Sequence, residues 1–93
     1  MVSFNVSHVV DGDTFDVSEG CRWNGQSGAR VRAAGYDAPE LQQPGGEAAK
    51  SKLSRLVLGK QVELRQAHRL DRGRLVADVY LDGRHLEDYF SEY

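Results

Sequence analysis

The chain has 93 residues and a net charge of −2, and 40% of its residues are hydrophobic while 28% are charged. These values exclude an intrinsically disordered chain and predict one domain, because neither of two halves could bury enough surface to fold alone. The single Cys21 excludes an internal disulfide, and no apolar run approaches the roughly 20 residues that span a bilayer.

Two strands and a long loop are predicted in the first part of the chain. Alternating apolar residues over 2–10 are typical of a half-buried strand, and the residues DGD at 11–13 are a turn signal. A second strand follows through Phe15. Residues 19–30 contain three glycines and predict a loose hairpin loop with Trp23 at its centre.

A third strand and a helix follow. Residues 31–36 predict a short strand that stops before Pro39, since proline cannot donate a hydrogen bond to a sheet. After a loop, Glu47–Leu58 has apolar residues at helical spacing, and Gly59 behind it is a typical helix stop.

Two more strands and a second helix complete the prediction. The strands cover 61–66 and 75–81, Asp82-Gly83 is a strong turn signal, and helical spacing of apolar residues predicts a helix over 86–93. Five strands with a helix between the third and the fourth are typical of an OB-type barrel. The predicted fold class over 1–93 is therefore mainly β with helices (α+β): a five-stranded OB-fold-like barrel with a C-terminal helix.

Charge is unevenly distributed along the chain. Residues 50–74 carry eight lysines and arginines against two acidic residues, a balance of +6, so the remainder carries −8. A basic segment beside an acidic remainder suits a protein that attracts phosphates and also holds a cation. A solvated helix face with ordinary surface lysines gives the same count, and charge alone favours that alternative.

Acidic residues and arginines are concentrated at the predicted strand ends: Asp11, Asp13, Arg32, Asp37, Glu40 and Arg74. In a closed barrel, neighbouring strand ends meet at one rim, so these side chains can converge. Taken singly, each has an ordinary explanation as a turn residue, an ion-pair partner or a solvated acid. The histidines His8, His68 and His85 lack metal-ligand spacing and are expected at the surface or the barrel rim.

Four runs of sequence resemble the staphylococcal nuclease family. They are VDGDTF (10–15), VRAAGYDAPE (31–40), GEAAK (46–50) and DRGRLVADV (71–79), in the family's order and at nearly its spacing. Each run alone is a weak signal, but together they are spread over residues 10–79, most of the chain. The resemblance implies a monomeric phosphodiester hydrolase, without membrane attachment, that uses Ca²⁺ to cleave DNA, RNA or both.

The resemblance also implies a calcium site. By position, Asp13, Asp37 and the backbone carbonyl of Ala38 would be the ligands, with Asp11 and Thr14 in support. Carboxylates, a carbonyl and waters form the oxygen shell that a hard cation such as Ca²⁺ prefers. We expect the bound cation to relieve the repulsion between the two carboxylates.

Catalytic roles follow from the same resemblance. Glu40 would be the general base, since a carboxylate near bound water can remove its proton. Arg32 and Arg74 would stabilise the phosphate, because a guanidinium stays charged and its planar fork fits phosphate oxygens. Arg72 would contribute to substrate binding.

The match weakens in three places. Family members usually carry an aromatic residue between Arg72 and Gly73, so this turn is one residue shorter and Arg72 becomes an alternative to Arg74 as the clamp. The family has threonine where this chain has Ala38, which removes a hydroxyl but keeps the main-chain ligand. The chain ends at Tyr93, without the C-terminal extension of longer members, so we expect a shallower substrate site.

Two other functions stay open. One is a non-catalytic nucleic-acid or protein binding module, like the degenerate nuclease-like repeats, which typically lose the acids and arginines that this chain keeps. The other is a purely structural OB-like domain. The N-terminus has no evident secretory leader, so the protein is cytoplasmic if Met1 is the native start and secreted if the chain is a processed form.

Overall fold

Five long strands form the body of the molecule. The structure is a computed structural model that describes residues 2–23 and 26–93. The long strands are β1 (Val2–Asp11), β2 (Thr14–Trp23), β3 (Gln26–Ala33), β4 (Gln61–Asp71) and β5 (Arg74–Leu81). A sixth strand that the sequence did not predict, β6 (Arg84–His85), pairs with the end of β5 across the predicted turn at Asp82-Gly83.

The sheet closes on itself. Strand β1 pairs antiparallel with β2 on one side and β4 on the other, while β2 pairs with β3 and β4 with β5. A parallel pairing of β3 with β5, from Val31 opposite Leu75 to Ala33 opposite Ala77, joins the two remaining edges. The five long strands therefore form a ring, and the predicted α+β class with an OB-like architecture is confirmed.

The closure brings three strand ends together. Thr14, the first residue of β2, lies opposite Arg32 near the end of β3, and the start of β5 pairs with the same part of β3. The turn between β1 and β2, the end of β3 and the turn between β4 and β5 are consequently neighbours. These are the places where the sequence concentrates its acids and arginines.

Alternate strand residues fill the ring with small and medium apolar side chains. Phe15 and Val31 are fully buried, and the rest of the strand core consists of Val6, Val9, Val17, Ala33, Val62, Leu75, Ala77, Val79 and Leu81. Burying a side chain of this type contributes about 1.5–3 kcal/mol. The barrel is thus a packed core, and polar chemistry is confined to its rim and outer face.

The helix α1 (Gly46–Val57) packs against β1 with one apolar stripe of Ala49, Leu53 and Val57. It lies one residue earlier than predicted. Gly59, with a φ of +76°, turns the chain after the helix and donates its N–H to the Val6 carbonyl at 3.0 Å. Within the described ranges, no helix has the length and apolar character needed to cross a membrane.

Three predicted boundaries in the sheet are wrong. Most of the expected loop over 19–30 is strand, with Trp23 opposite Gln26; residues 24–25 lie outside the described part of the chain. Strand β3 ends at Ala33 because the chain bends at Gly35, whose φ is +101°. Strand β4 continues to Asp71, five residues beyond the predicted end.

The predicted C-terminal α-helix over 86–93 is also wrong. The segment forms one 3₁₀ turn, Leu86–Tyr89, and Phe90 leaves helical geometry with φ −125° and ψ 44°. The Phe90 ring stacks on Tyr36 with a centroid distance of 4.5 Å, and the Tyr89 hydroxyl donates to the Leu81 carbonyl at 3.2 Å. These tertiary contacts hold the aromatic residues against the barrel in place of a regular helix.

Candidate active site

The turn between β1 and β2 buries a carboxylate. Asp13 follows Gly12 in this turn and is only 5% exposed. Gly12 has no room for a side chain, because a Cβ would lie 2.6 Å from the Cβ of Ala49 and 2.7 Å from that of Ala38. Asp11 fixes the turn by accepting the Asp13 N–H at 3.2 Å. Helix α1 and the segment after β3 therefore pack directly against the turn that presents Asp13.

Three donors surround the Asp13 carboxylate. The Thr14 hydroxyl donates to Oδ1 at 3.1 Å, and the Ala38 backbone N–H donates to Oδ2 at 3.2 Å. Arg32 Nη2 lies 3.1 Å from the same Oδ2. Burial, followed by the neighbouring Asp11 carboxyl, nevertheless raises the pKa of Asp13 to about 6, and Arg32 and Thr14 only partly oppose this rise.

Arg32 lies between the two predicted metal carboxylates. Its Nη1 donates to the carbonyls of Ala33 at 2.6 Å and Tyr36 at 2.9 Å. Its Nη2 lies 3.0 Å from Asp37 Oδ1 as well as beside Asp13. Arg32 therefore already offsets the repulsion between the two carboxylates, a role that the sequence pattern had suggested for a bound cation.

Tyr36 anchors the segment that carries Asp37. Its hydroxyl donates to the Gly12 carbonyl at 2.8 Å, and its ring stacks on Phe90. Burial raises the pKa of Tyr36 above its ordinary value, so the hydroxyl remains a donor. The segment after β3 is thereby tied to the β1–β2 turn and to the C-terminal aromatic residues.

Arg74 connects the β4–β5 turn to the same acidic centre. Its Nη2 lies 3.2 Å from Asp71 Oδ2, and its Nη1 donates to the Thr14 hydroxyl at 3.4 Å. Because Thr14 in turn donates to Asp13, a continuous path of polar contacts runs from Arg74 through Thr14 and Asp13 to Arg32. The two arginines that the sequence singled out are therefore parts of one network.

Arg32, Asp37 and Arg74 line one open groove of about 730 Å³. Its other charged lining residues are Arg69, Arg72, Asp71, Asp78 and His68. Among the described residues, the side chains of Arg69 and Arg72 have neither a hydrogen-bond nor an ion-pair partner. Four arginines face three aspartates, so the groove carries an excess of positive charge and two guanidinium groups that are free to bind anions.

Glu40 is not brought to this groove. Its side chain is exposed, its backbone N–H donates to Gln43 Oε1 at 2.8 Å, and the groove lining does not include it. The backbone of Glu40 packs against Gly46 at the start of α1, where a Cβ would collide with the Glu40 carbonyl. Glu40 thus lies on the loop that follows Asp37, beside the helix and outside the groove.

A histidine–aspartate–histidine cluster borders the groove, which two of its members, His68 and Asp78, line; it was missed from the sequence. Asp78 Oδ1 lies 3.1 Å from His68 Nε2 and 3.2 Å from His85 Nε2. Burial alone would raise the pKa of Asp78, but the hydrogen bonds to both histidines outweigh it and lower that pKa. His68 lies in an irregularity of β4, since Ala67 faces Ala77 whereas Arg69 faces Val76. Such a bulge re-aims a side chain and has no clear sequence signal.

Asp13 and Asp37 are the carboxylates that could hold a cation. Their Oδ atoms each lie about 3 Å from the same Arg32 nitrogen, so the two oxygens are at most about 6 Å apart. Among residues 2–23 and 26–93, no group of three or more His, Cys, Asp or Glu side chains is arranged to hold a metal. A cation here would consequently need backbone oxygen and water as further ligands. Oxygen donors suit a hard cation such as Ca²⁺, and binding here would require the buried Asp13 carboxyl to lose its proton.

The family model for staphylococcal nuclease homologues matches residues 30–91 of this chain. The chain belongs to the staphylococcal nuclease family. Within the family match lie Arg32, Asp37, Glu40 and Arg74, whereas Asp13 precedes it. The OB-like barrel is therefore that of a staphylococcal-nuclease-like domain.

Several plant proteins are similar to this domain. The probable staphylococcal-like nuclease CAN1 of Oryza sativa subsp. japonica is 41% identical over 54 residues, which are 58% of this chain and 16% of the rice protein. CAN2 of the same species is 37% identical over 60 residues, 63% of this chain and 16% of the relative. An uncharacterized 38.1 kDa protein of Capnoides sempervirens is 36% identical over 59 residues, 63% of this chain and 18% of the relative. The matches thus span less than a fifth of these relatives' length.

Proposed function

We propose that this domain is a Ca²⁺-dependent endonuclease that hydrolyses phosphodiester bonds of DNA or RNA. The observation that carries the proposal is the path of contacts from Arg32 through Asp13 and Thr14 to Arg74 at one positively charged groove. Membership of the staphylococcal nuclease family and the similarity to rice proteins named as probable staphylococcal-like nucleases support a nucleic-acid substrate.

The two arginines of the path are the proposed phosphate clamps. A guanidinium remains charged at any physiological pH and presents paired donors that match two phosphate oxygens. Arg32 is fixed by two backbone carbonyls and Arg74 by Asp71, so both are pre-oriented before substrate binds. Donors that are held near the site stabilise charge that develops on the phosphate oxygens.

Asp13, Asp37 and the Ala38 carbonyl are the proposed ligands of Ca²⁺. Bound there, the ion would supply charge neutralisation and Lewis-acid polarisation of the phosphate. The residues themselves set two conditions for binding. Asp13 must lose its proton, and Arg32 must share or give up its ion-pair contacts with both carboxylates. The guanidinium donors that Arg32 withdraws from the acids then become available to the substrate.

Hydrolysis adds water across the phosphodiester bond. The water oxygen bonds to phosphorus, the bond from phosphorus to the leaving oxygen breaks, and the leaving oxygen gains a proton. Glu40 is the proposed acceptor of the water's proton, since it is the next carboxylate along the chain after Asp37. Because its side chain lies outside the groove, this assignment requires the loop that begins at Asp37 to turn Glu40 toward the phosphate.

The position of Glu40 also favours a second candidate function. A domain that keeps the arginine groove but cannot place a base would bind nucleic acid without cleaving it. If the domain is such a non-catalytic binding module, it should bind single-stranded DNA tightly and release no nucleotides. The nuclease proposal predicts tight binding and release of nucleotides.

Cleavage by two arginine variants tests the proposal. At saturating single-stranded DNA with Ca²⁺, Arg74→Ala should lower turnover by roughly 10²–10³-fold, as expected for the loss of one preorganised donor. Arg72→Asn, which removes an exposed charge at the turn tip, is the matched control and should keep most of the wild-type turnover. Equal turnover for wild type and Arg74→Ala, or no cleavage by the wild type, would refute the nuclease proposal.

A further inference from the structure

The groove that contains Arg32 and Arg74 also holds a histidine beside a carboxylate. His68 and Asp78 both line it, and His68 Nε2 lies 3.1 Å from Asp78 Oδ1. The His68 side chain is 38% exposed, so its ring is open to a molecule in the groove. Hydrolysis needs a group that gives a proton to the leaving oxygen. The two arginines cannot supply that proton, because a guanidinium keeps its protons at any physiological pH.

The strand pairing places this histidine–aspartate pair along the groove from the two proposed clamps. Arg74, Val76 and Asp78 alternate along β5 and all three line the groove. Arg32 lies opposite Val76 on the neighbouring strand β3. Asp78 therefore stands two residues, about 6.6 Å, further along the sheet than the level of Arg32. A phosphate held by the two arginines would have the pair beside it, on the side of Arg32.

The bulge in β4 is what turns His68 toward Asp78. The residues before and after it, Ala67 and Arg69, face two consecutive residues of β5, so His68 is the extra residue of the bulge and has no partner across the strands. Bulges re-aim a side chain in this way and are over-represented next to active sites.

The contacts of the cluster assign a proton to one nitrogen of each ring. His85 Nδ1 accepts the Glu87 N–H at 3.2 Å, so a neutral His85 carries its proton on Nε2 and donates it to Asp78 Oδ1. Burial would raise the pKa of Asp78, but the hydrogen bonds to both histidines outweigh burial and lower it, so this carboxylate accepts from both rings. His68 therefore donates from Nε2. Its Nδ1 has no partner within the described chain and is the nitrogen that can take and give a second proton.

We infer that His68 is the general acid of the proposed nuclease and that Asp78 is its positioning residue. The inference rests on the proposed function and assigns one step of it. The doubly protonated ring gives its Nδ1 proton to the leaving oxygen while the bond from phosphorus to that oxygen breaks, and the electron pair of the bond stays with the oxygen. The ring returns to the Nε2–H form that Asp78 holds, and it regains a proton from solvent. Histidine suits this exchange because it ordinarily changes its charge between about pH 5 and 8.

A substrate whose leaving group needs no proton tests this assignment. Two single-stranded oligothymidylates are cleaved at saturating concentration with Ca²⁺: an ordinary strand, and a strand in which sulfur replaces the leaving oxygen of one phosphodiester. The wild-type products show which bridging oxygen leaves, and cleavage at the sulfur is measured as released thiol. A thiol is a far stronger acid than an alcohol, so sulfur leaves as a thiolate without a proton donor.

The variant His68→Gln keeps a donor for Asp78 but has no proton to transfer. Its turnover of the ordinary strand should fall by roughly 10²–10⁴-fold, whereas its turnover at the sulfur linkage should stay close to that of the wild type. Cleavage at the sulfur linkage also shows that the groove of the variant is intact, so a loss confined to the ordinary strand cannot come from misfolding.

Two further variants complete the design. Asp78→Asn removes the carboxylate that holds the charged His68 ring, so it should also slow cleavage of the ordinary strand and spare the sulfur linkage. His8→Gln removes an exposed histidine of β1 that does not line the groove, and it should cleave both strands like the wild type. Equal losses on the two strands, or no loss, in His68→Gln would overturn the inference and leave the nuclease proposal intact. No cleavage of either strand by the wild type would refute the nuclease proposal and the inference with it.

Discussion

Substituting the buried carboxylate Asp13 should remove a specific part of the pH dependence of stability. Burial raises the pKa of Asp13 to about 6 from its ordinary value of 3.8. Between these values the folded protein binds a proton that the unfolded chain has released, so the free energy of unfolding decreases as the pH rises. At about 1.4 kcal/mol for each unit of pKa difference, the metal-free wild type loses up to about 3 kcal/mol between pH 4 and pH 7 through this one residue.

Urea unfolding in EDTA at several pH values provides the assay. Asp13→Asn cannot ionise, and its amide can replace the carboxylate contacts because the Thr14 hydroxyl can accept as well as donate. The difference in unfolding free energy between wild type and variant should therefore fall as the pH rises toward 6 and become constant above pH 7. Asp16 and Asp78, whose pKa values are lowered, add stability that is lost at low pH, but they do so in both proteins.

Asp37→Asn is the matched control for this experiment. It removes the other carboxylate beside Arg32, but its side chain is 92% exposed. Its pH profile should keep the wild-type slope. Parallel profiles for wild type and Asp13→Asn would refute the reasoning, because they would mean that burial does not disfavour the ionised Asp13.

Two further substitutions have expected outcomes. Gly12→Ala should lower the free energy of unfolding by roughly 1–3 kcal/mol in urea titrations, because the new Cβ would lie within 2.7 Å of Ala49 and Ala38; an unchanged midpoint would contradict the close packing of this turn. Glu40→Gln should keep DNA binding but lower turnover by on the order of 10² or more, since an amide cannot take the water's proton. Near-wild-type turnover would exclude Glu40 as the base.

Local sequence patterns were sufficient to predict most of the barrel. Alternation over 2–10, the apolar stripe of α1 and the turn at Asp82-Gly83 depend on neighbouring residues, and each is found in the structure. The predicted C-terminal helix is absent although its apolar residues have helical spacing. Phe90 stacks on Tyr36 and the Tyr89 hydroxyl donates to the Leu81 carbonyl, and these contacts hold the segment out of helical geometry. Contacts between distant parts of a chain override such a pattern and cannot be read from it.

The candidate site was predictable only in part for the same reason. Asp13, Arg32 and Arg74 stand at strand ends, and closure of the barrel connects them. His68 joined the groove wall through a bulge in β4, and its neighbours there depend on the register of that strand against β5. The ion pairs of Arg32 with Asp13 and Asp37 could not be predicted either. A sequence motif gives the residue types but does not show which charged side chains contact each other.

Cleavage of an end-labelled single-stranded DNA, with and without Ca²⁺, tests the central claim most directly. The wild type should release shorter products in millimolar Ca²⁺, lose this activity in excess EDTA and regain it when Ca²⁺ is restored. Asp37→Asn should need more Ca²⁺ for half-maximal cleavage, because it removes one of the two proposed carboxylate ligands. Full cleavage by the wild type in EDTA, or an unchanged calcium requirement in Asp37→Asn, would contradict a calcium-dependent nuclease built on this groove.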